Sequence, residues 1–414
     1  MRTIVEGAIR RQAFNILQDP YANAYRKKWV DPATLRLRDR VIGRGGWVAT
    51  RNYELDSGAY FLTQLYDYYV VENLYRPELL LQEPMIFDAV MLMIDVWIVE
   101  QHHEESSPYR YFELPRDGKG TPTGYTGMSW SGFRPSDDPC QFGYLIPANI
   151  HAASALERVL ALNQRVWKSP LLDKKASKLL HEIETGIQTY GVVKTRKNES
   201  KLVYAYEVDG LGRSLSYFDD ANVPSLLSIP LLGWSKYDRT VYQNTREMLL
   251  SADTNSYYFV GKALRGIGSP HTPPDFVWPM AFAIEALTER GSIEHVAHTM
   301  AFQIRQSLRA ACDGAMHEGV EVHTACEGRG MRFSRNWFEW ANALFVVLVE
   351  TGLGMRCDAS GQTLALREAA RGKQQQQQQG RPTRRGDFYN DKYKNDPNNV
   401  GFYQGVEAMV PHVD

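Results

Sequence analysis

The chain has 414 residues and a formal net charge of -1, and 43% of its residues are hydrophobic and 12% aromatic. A near-neutral chain gives no electrostatic reason to expect nucleic acid or an anionic membrane surface as a partner, so a neutral ligand fits better. We also predict no membrane segment, because no run of the sequence approaches the roughly 18 apolar residues of a membrane span. The four cysteines lack metal-ligand spacing, and they leave disulfide pairing and cellular compartment open.

Apolar residues recur at helical spacing through most of the chain, which predicts about ten helices. The linkers between them alternate between short and long, and long connections tend to collect at one end of a closed ring of helical hairpins. The sequence therefore predicts an all-α fold, an α/α toroid with its site at the long-loop end. The predicted helices cover 4–17, 53–71, 86–98, 146–162, 174–187, 223–232, 241–250, 277–287, 293–308 and 337–349.

Two stretches depart from this helical pattern. Val192–Lys194 and Tyr204–Tyr206 are predicted to form a short β-hairpin with its turn at Asn198–Ser200. Residues 351–414 contain six consecutive glutamines followed by a polar tail, which cannot bury enough apolar surface to become ordered. We therefore predict a folded domain at 1–350 and a low-complexity, mostly disordered tail at 351–414.

The stretch from Ser129 to Asn149 carries a candidate site. It combines the rings of Trp130 and its neighbours with Arg134 and the adjacent carboxylates Asp137 and Asp138, just before a predicted helix. A sugar-handling site needs apolar faces for stacking and acids that move protons. The competing interpretation is structural, since Ser-Asp-Asp-Pro is also good helix-capping chemistry.

Two later stretches again place carboxylates beside aromatic rings, and a third places an imidazole beside prolines. We expect one of Asp219 and Asp220 to cap the helix predicted near Val223, which leaves the other for sugar hydroxyls. We expect the imidazole to donate a hydrogen bond in a polar pocket. The candidates for ligand contacts in these stretches are Asp209, Asp219, Asp220, Asn222, His271 and Trp278.

An acid and base mechanism needs a second carboxyl opposite the first. Composition alone does not choose among Glu207, Glu318 and Glu339 for that role. His102 and His103 are followed by two glutamates, but adjacent residues on a helix point about 100° apart and do not easily chelate one ion. We read this stretch as a solvated helix end and predict no metal site and no cofactor.

Nine stretches of the chain, in order, match one family's successive motifs. They are 19–25, 53–57, 133–138, 144–149, 204–210, 219–227, 266–272, 316–318 and 337–342. In these stretches the chain resembles glycoside hydrolase family 125, the exo-α-1,6-mannosidases. The resemblance implies an (α/α)6 toroid, built as a six-hairpin barrel, and metal-independent, inverting removal of terminal α-1,6-linked mannose from a mannose-containing oligosaccharide or N-glycan.

Site residues carry over from the family motif by motif. The resemblance implies that the acid lies in the Ser-Asp-Asp motif, where Asp137 is favoured over Asp138, and that the base is Glu318. It also implies ligand contacts from several side chains: Arg134, Asn222, His271 and Arg335 would hold sugar hydroxyls, and Trp130 or Trp278 could stack on the sugar ring.

The family's first section, with Thr-Gly-Asp-Ile and Trp-Leu-Arg-Asp-Ser motifs, has no counterpart in this sequence. We therefore expect a toroid that is incomplete at its N-terminus, with activity impaired to match. Two alternatives stay open. One is a non-catalytic toroid that binds glycans or another protein through the same loops, and the other is a toroid glycosidase specific for another sugar, such as glucose.

Overall fold

The fold is described from a computed structural model over residues 2–41, 43–71, 77–195, 201–326, 332–353, 355–357 and 363–365. The chain divides into two compact units. The first unit comprises Met1–Phe218 and Val223–Met248, and the second comprises Asp219–Asn222 and Leu249–Asp414. Among the described residues, no helix has both the length and the apolar character needed to cross a membrane.

The first unit is mainly helical. Its helices are α1 (Arg2–Gln18), α2 (Leu37–Val41), α3 (Leu55–Val71), α4 (Glu78–Leu81), α5 (Pro84–Gln101), α6 (His103–Ser106), α7 (Pro115–Gly118), α8 (Ile146–Leu162), α9 (Pro170–Tyr190) and α10 (Arg239–Leu249), the last of which ends at the unit boundary. Its strands are β1 (Ala24–Val30), β2 (Gly46–Thr50), β3 (Tyr144–Leu145), β4 (Val192–Lys194), β5 (Leu202–Tyr204), β6 (Glu207–Val208) and β7 (Ser214–Leu215).

Helix α8 is the centre of this unit, and it packs against both α3 and α9. Most of its residues are buried, and alanines such as Ala148, Ala152 and Ala155 let neighbouring helices approach closely. Helix α9 is amphipathic and begins at a serine cap, because the Ser169 side chain accepts a hydrogen bond from the Leu172 N–H and a proline follows it. These helices form a rigid base from which the loop before α8 projects.

Three small antiparallel sheets accompany these helices. β1 pairs with β2, and β4 pairs with β5. The third sheet has the strand order β3-β6-β7, so that Tyr144 lies opposite Val208 and Leu145 opposite Glu207. This pairing places the chain just before α8 beside a buried carboxylate, Glu207, on which the candidate site depends.

The second unit contains α11 (Pro279–Leu287), α12 (Ile293–Ala310) and α13 (Glu339–Leu353), and α11 packs against both of the others. A cluster of apolar residues forms part of its core, including Leu264, Phe282 and Val320. Its strands are β8 (Tyr258–Val260), β9 (Arg265–Ile267), β10 (Phe276–Val277), β11 (Gly319–Glu321), β12 (Phe333–Ser334), β13 (Met355–Cys357) and β14 (Thr363–Ala365), which form a β8-β9 pair, a β10-β11-β12 sheet and a β13-β14 pair.

Nine of the ten predicted helices are confirmed, within a few residues at their ends, and so is the pairing of the predicted hairpin. The turn of that hairpin at 198–200 lies outside the described residues. Within the predicted tail, β13 and β14 form a two-stranded pair, while 358–362 and 366–414 lie outside the described residues. The disorder of the tail and the domain boundary at 350 stay predictions.

The helix predicted over 223–232 is wrong. This stretch is irregular apart from a short 3-10 turn at Ile229–Leu231. Pro224 and Pro230 lack the N–H that a continuing helix needs. Ser225 and Ser228 satisfy the local backbone instead, since the N–H of each donates to the hydroxyl of the other. Asp219 and Asp220 therefore have no helix to cap at this point, contrary to the sequence prediction.

Candidate active site

The loop 129–143 carries the predicted acid, and hydrogen bonds fix the part of the loop that adjoins the helices. The fully buried Asn149 side chain, on the first turn of α8, accepts from the Ser129 N–H at 2.9 Å and donates to the Ser129 and Leu145 carbonyls at 3.0 Å. The N–H groups of Gly132 and Phe133 both donate to the Tyr53 carbonyl, at 3.0 Å. The start of α8 and the entry to α3 thus hold this loop from two sides.

A buried ion pair holds the middle of the same loop. The Arg134 Nε donates to Glu207 Oε1 at 2.6 Å, and the other oxygen of Glu207 accepts from the N–H groups of Gln141 and Phe142. Arg134 is 7% exposed and Glu207 fully buried. Because Glu207 is engaged by three donors in the core, its carboxylate is structural, and it is not available as a general base. Arg134, predicted to hold a sugar hydroxyl, pairs with it.

Asp137 and Asp138 lie at the tip of the loop, where Asp137 is exposed and Asp138 half-buried. The Asp137 backbone has a φ of +66°, a left-handed conformation that few residues other than glycine adopt. Leu145, and not an aspartate of the Ser-Asp-Asp motif, stands at the N-cap of α8. The helix-capping interpretation of the two aspartates is therefore wrong, and Asp137 presents its carboxyl to solvent.

Beneath Asp137 lies a group of polar side chains that sequence reasoning did not assign to the site. The amide of Asn23 donates to both Asp137 Oδ1, at 3.1 Å, and Glu54 Oε1, at 3.0 Å. Glu54 precedes α3 and Asp56 lies in its first turn; their side chains are buried. Three carboxyls from two sequence-distant segments thus share one neighbourhood in the first unit.

Two predicted ligand contacts in the first unit are not supported by the geometry. Trp130 is 2% exposed, and its indole stacks on the His103 ring at 3.6 Å between centroids, so it is a core aromatic without a free face for a sugar. Asp209 is fully buried and accepts from the N–H groups of Leu211 and Arg213, which fixes a turn. Burial acts to raise the pKa of Asp209, but its hydrogen bonds with Arg213 and Leu211 outweigh burial and lower it.

The second unit holds the predicted base on a closed loop. Glu318 comes directly before β11, is 5% exposed, and forms an ion pair with Arg335, with 3.0 Å between Nε and Oε1. A disulfide between Cys312 and Cys326 closes the segment that contains Glu318, and both cysteines pack against the apolar core cluster. The Glu318 carboxylate is therefore placed on a covalently closed segment, next to a cation.

The Asn342 side chain fixes the same loop from α13. Its Oδ1 accepts from the Met316 N–H at 3.0 Å, and its Nδ2 donates to the carbonyls of Met316 and Phe338. His317 is fully buried, lies against the Phe333 ring at 3.9 Å and makes a 2.9 Å hydrogen bond to the Arg335 carbonyl. Met316 and His317, the neighbours of Glu318 in this motif, are therefore held by contacts within the second unit.

The remaining predicted ligand contacts in the second unit differ in exposure. His271 is exposed, and 54% of the Arg335 side chain is exposed. Asp219, Asp220 and Asn222 are buried beside the His271 stretch, since the Ala221 N–H donates to the Gly268 carbonyl. Trp278 is 1% exposed and donates its indole N–H to Thr272 Oγ1, so it is a core residue and not a stacking platform.

Comparison with known proteins identifies the family. Residues 1–350 match the metal-independent α-mannosidases of glycoside hydrolase family 125. The chain belongs to this family. The meiotically up-regulated gene 157 protein of Schizosaccharomyces pombe is 36% identical over 378 residues, covering 84% of this chain and 70% of that protein.

A solved structure gives the same result for the fold. The structure is a metal-independent α-mannosidase from Streptococcus pneumoniae in a non-productive complex with α-1,6-mannobiose. It matches with a TM-score of 0.72 and 34% identity, over 85% of this chain and 80% of that one. This match supports the predicted (α/α)6 fold. The described residues also contain short strands, so the all-α prediction holds only in part, and the six-hairpin barrel and the incomplete N-terminus stay predictions.

The family 125 assignment explains which site residues a single sequence could reveal. Asp137 and Glu318 stand in short motifs that can be matched residue by residue. Glu54 and Asp56 also stand in a family motif, at 53–57, but the sequence places them far from Asp137 and gives no sign that they meet it. Within the described part of the chain, no group of three or more His, Cys, Asp or Glu side chains is arranged to hold a metal ion.

Proposed function

We propose that this family 125 protein is an exo-acting glycosidase that removes terminal α-1,6-linked mannose from oligosaccharides or N-glycans with inversion of configuration. Asp137 is the general acid and Glu318 the general base. The observation that carries the proposal is the state of the three glutamates considered as base: Glu207 is locked in an ion pair, Glu339 is exposed at the start of α13, and Glu318 is held beside Arg335.

The α-1,6 linkage is proposed from similarity. The matching Streptococcus pneumoniae structure contains a mannosidase in a non-productive complex with α-1,6-mannobiose. It is 34% identical to this chain and covers 85% of it. Exposed polar groups at His271 and Arg335 supply donors of the kind that bind sugar hydroxyls. Asp219, Asp220 and Asn222 are further candidates for hydroxyl contacts, as the family motifs imply.

In this mechanism Asp137 gives its proton to the glycosidic oxygen as the bond to the anomeric carbon breaks. Its exposure at the loop tip gives a substrate access to that proton. Glu318 takes a proton from a water molecule that attacks the opposite face of the sugar ring, and the water oxygen forms the new bond to the anomeric carbon. An α-mannoside attacked in this way releases β-mannose.

The test measures hydrolysis of α-1,6-mannobiose by the purified chain, Asp137→Asn and Glu318→Gln. Each substitution removes one proton-transfer group, so we expect each variant to lose at least about 100-fold in kcat, since general acid and base groups typically contribute 10²–10⁴-fold. Matched controls are Asp138→Asn, the neighbouring aspartate, and Glu339→Gln, an exposed glutamate of the same unit as Glu318. Near wild-type rates for Glu318→Gln would overturn its role as the base.

Specificity is tested with α-1,2- and α-1,3-mannobiose and with an α-1,6-linked glucose disaccharide. The proposal expects the α-1,6-linked mannose substrate to be hydrolysed fastest. Preference for the glucose substrate would support the alternative of a toroid glycosidase with another specificity. Glycan binding by calorimetry with no hydrolysis of any of these substrates would support the non-catalytic alternative.

A further inference from the structure

Asn23 ties the proposed acid to a second carboxyl. Its Nδ2 donates to Glu54 Oε1 at 3.0 Å and to Asp137 Oδ1 at 3.1 Å. Its Oδ1 accepts from the Thr50 hydroxyl at 2.6 Å, so both ends of the Asn23 amide are engaged. One amide group therefore bridges the two carboxyls and fixes their separation.

Glu54 is the buried member of this pair. It is 9% exposed, and its Oε2 accepts from the Ser57 hydroxyl at 3.1 Å. Burial, then the charges of Asp56 and Asp137, raise the pKa of Glu54 well above its ordinary value, and a hydrogen bond with the Asp137 side chain acts in the same direction. A hydrogen bond between two carboxyls contains a proton, because carboxylates that are both ionised have only acceptors.

Asp56 adds a third carboxyl, from the first turn of α3. It is 2% exposed, and its Oδ1 has no hydrogen-bond partner among the described residues. Burial, with a smaller contribution from the charge of Asp137, raises the pKa of Asp56 to about 7 against the opposing effect of its own backbone N–H. Negative charge in this neighbourhood is therefore costly, which favours keeping a proton on the Glu54–Asp137 pair.

Other titratable groups face this pair from the loop and from β6. Arg134 on the loop forms an ion pair with Glu207 on β6. Burial, and then the charge of Glu207, raise the pKa of the Cys140 thiol on the loop, and the charges of Asp56 and Glu54 act in the same direction. The Tyr111 hydroxyl is influenced by Asp137. Because the positive charge of Arg134 is engaged by Glu207, we expect the nearby carboxyls to dominate the electrostatics that Asp137 experiences.

We propose that Glu54 is a positioning residue that shares one proton with Asp137, so that Asp137 enters the reaction protonated. The inference rests on the proposed function, in which Asp137 is the acid. After Asp137 gives the shared proton to the leaving oxygen, both carboxyls are ionised, and one proton taken up from solvent restores the pair. The proton that Glu318 took from the attacking water returns to solvent. Each cycle thus returns both carboxyls to their starting state with one shared proton.

The experiment is the pH dependence of kcat/KM for α-1,6-mannobiose in Glu54→Gln. Glu54→Gln removes the carboxyl that shares the proton, so the alkaline limb of the profile is expected to move to lower pH by about one unit or more. Activity on the alkaline side then falls at least about 10-fold and recovers as the pH is lowered. Glu54→Asp, which keeps a carboxyl, restores part of the alkaline activity.

A second substrate separates this role from a structural one. A dinitrophenyl α-mannoside needs little protonation of its leaving group, so Glu54→Gln is expected to hydrolyse it nearly as fast as wild type does. The matched control is Asp67→Asn, since Asp67 is another carboxyl of α3 and burial raises its pKa to about 6. The control is expected to leave the alkaline limb unchanged.

Two results would overturn the inference. One is a Glu54→Gln variant slowed equally at every pH and on both substrates. The other comes from a measurement without turnover, the carbon-13 titration of aspartate carboxyls, with the Asp137 signal assigned by its absence in Asp137→Asn. An Asp137 midpoint that stays unchanged in Glu54→Gln refutes proton sharing even if the wild type is active. A downward shift supports it even if the choice of sugar substrate is wrong.

Discussion

The loop that carries Asp137 and the loop that carries Glu318 hold a carboxyl in two different ways. The loop 129–143 is held by hydrogen bonds from Asn149 and by the buried Arg134–Glu207 ion pair. The segment 312–326 is closed by a disulfide and fixed by Asn342. Both loops are fixed by the side-chain amide of an asparagine; the first loop adds a buried ion pair, whereas the second adds a covalent link.

The difference fits the roles proposed for the two carboxyls. A general acid must hold a proton, and the neighbours of Asp137 include the buried carboxyls of Glu54 and Asp56, whose own pKa values are raised. A general base must be ionised, and the ion-pair partner of Glu318 is the Arg335 guanidinium, at 3.0 Å. The proposed acid thus lies among carboxyls, whereas the proposed base lies beside a cation.

The largest stability effect is expected at Glu207, the ion-pair partner of Arg134 in the loop 129–143. Glu207→Gln removes the charge that pairs with buried Arg134 and places an NH2 group near the N–H donors of Gln141 and Phe142. Breaking a buried pair in this way costs about 3–5 kcal/mol of unfolding free energy. Urea denaturation measures it, with Glu105→Gln, an exposed glutamate of α6, as the control. A loss equal to that of the control would contradict the ion pair's role.

The segment 312–326 is tested by removing its disulfide. The double variant Cys312→Ser and Cys326→Ser opens a loop whose ends are 14 residues apart. The chain-entropy model gives a loss of about 3 kcal/mol in unfolding free energy for a loop of this size. We also expect a lower kcat, because Glu318 lies inside the loop. The control is Cys140→Ser, which removes a free cysteine of the first unit. Unchanged thermal unfolding and kcat in the double variant would show that the disulfide does not hold the base.

A smaller effect is expected at Asn342, the amide that fixes the same segment. Asn342→Ala removes three hydrogen bonds to the backbone of Met316 and Phe338. Backbone groups left without partners cost about 2 kcal/mol in unfolding free energy. Asn342→Asp keeps the acceptor for the Met316 N–H and should recover part of this loss. If the alanine and aspartate variants behave alike in thermal unfolding, the Asn342 hydrogen bond with the Met316 N–H does not account for the loss of stability.

The last effect is a pH dependence from Asp56, which is small for each pH unit but adds up to about 4 kcal/mol between pH 4 and 7. Its pKa is about 7 in the folded protein, above the ordinary value of 3.8, so the folded state binds the proton more tightly than the unfolded state. Stability from this group is fully present below about pH 4 and is lost up to about pH 7, at about 1.4 kcal/mol per pH unit. Asp56→Asn is expected to remove this slope in denaturation series from pH 4 to 8. An identical slope in the variant would contradict the burial of a titrating Asp56.

Much of this account was predictable from local sequence. Helix α8 has the predicted bounds because its apolar pattern continues without a break from Ile146 to Leu162. The stretch 223–232 shows the same apolar density, yet Pro224 and Pro230 prevent the helix. Asp137 and Glu318 could be predicted because they stand in recognisable motifs.

The remaining site features depend on contacts between distant segments. Trp130 has the composition of a sugar platform, and the structure shows that His103 covers its face. Glu54 meets Asp137 through the amide of Asn23, and no local spacing links these three residues. Tertiary contacts of this kind decide which side chain is a core residue and which takes part in chemistry.

The most direct test of the central claim is proton NMR of the mannose released from α-1,6-mannobiose at early times, before mutarotation. The account predicts β-mannose as the first product, with release abolished in Glu318→Gln. First release of α-mannose would contradict the inverting roles given to Asp137 and Glu318, because it requires a covalent intermediate and two displacements.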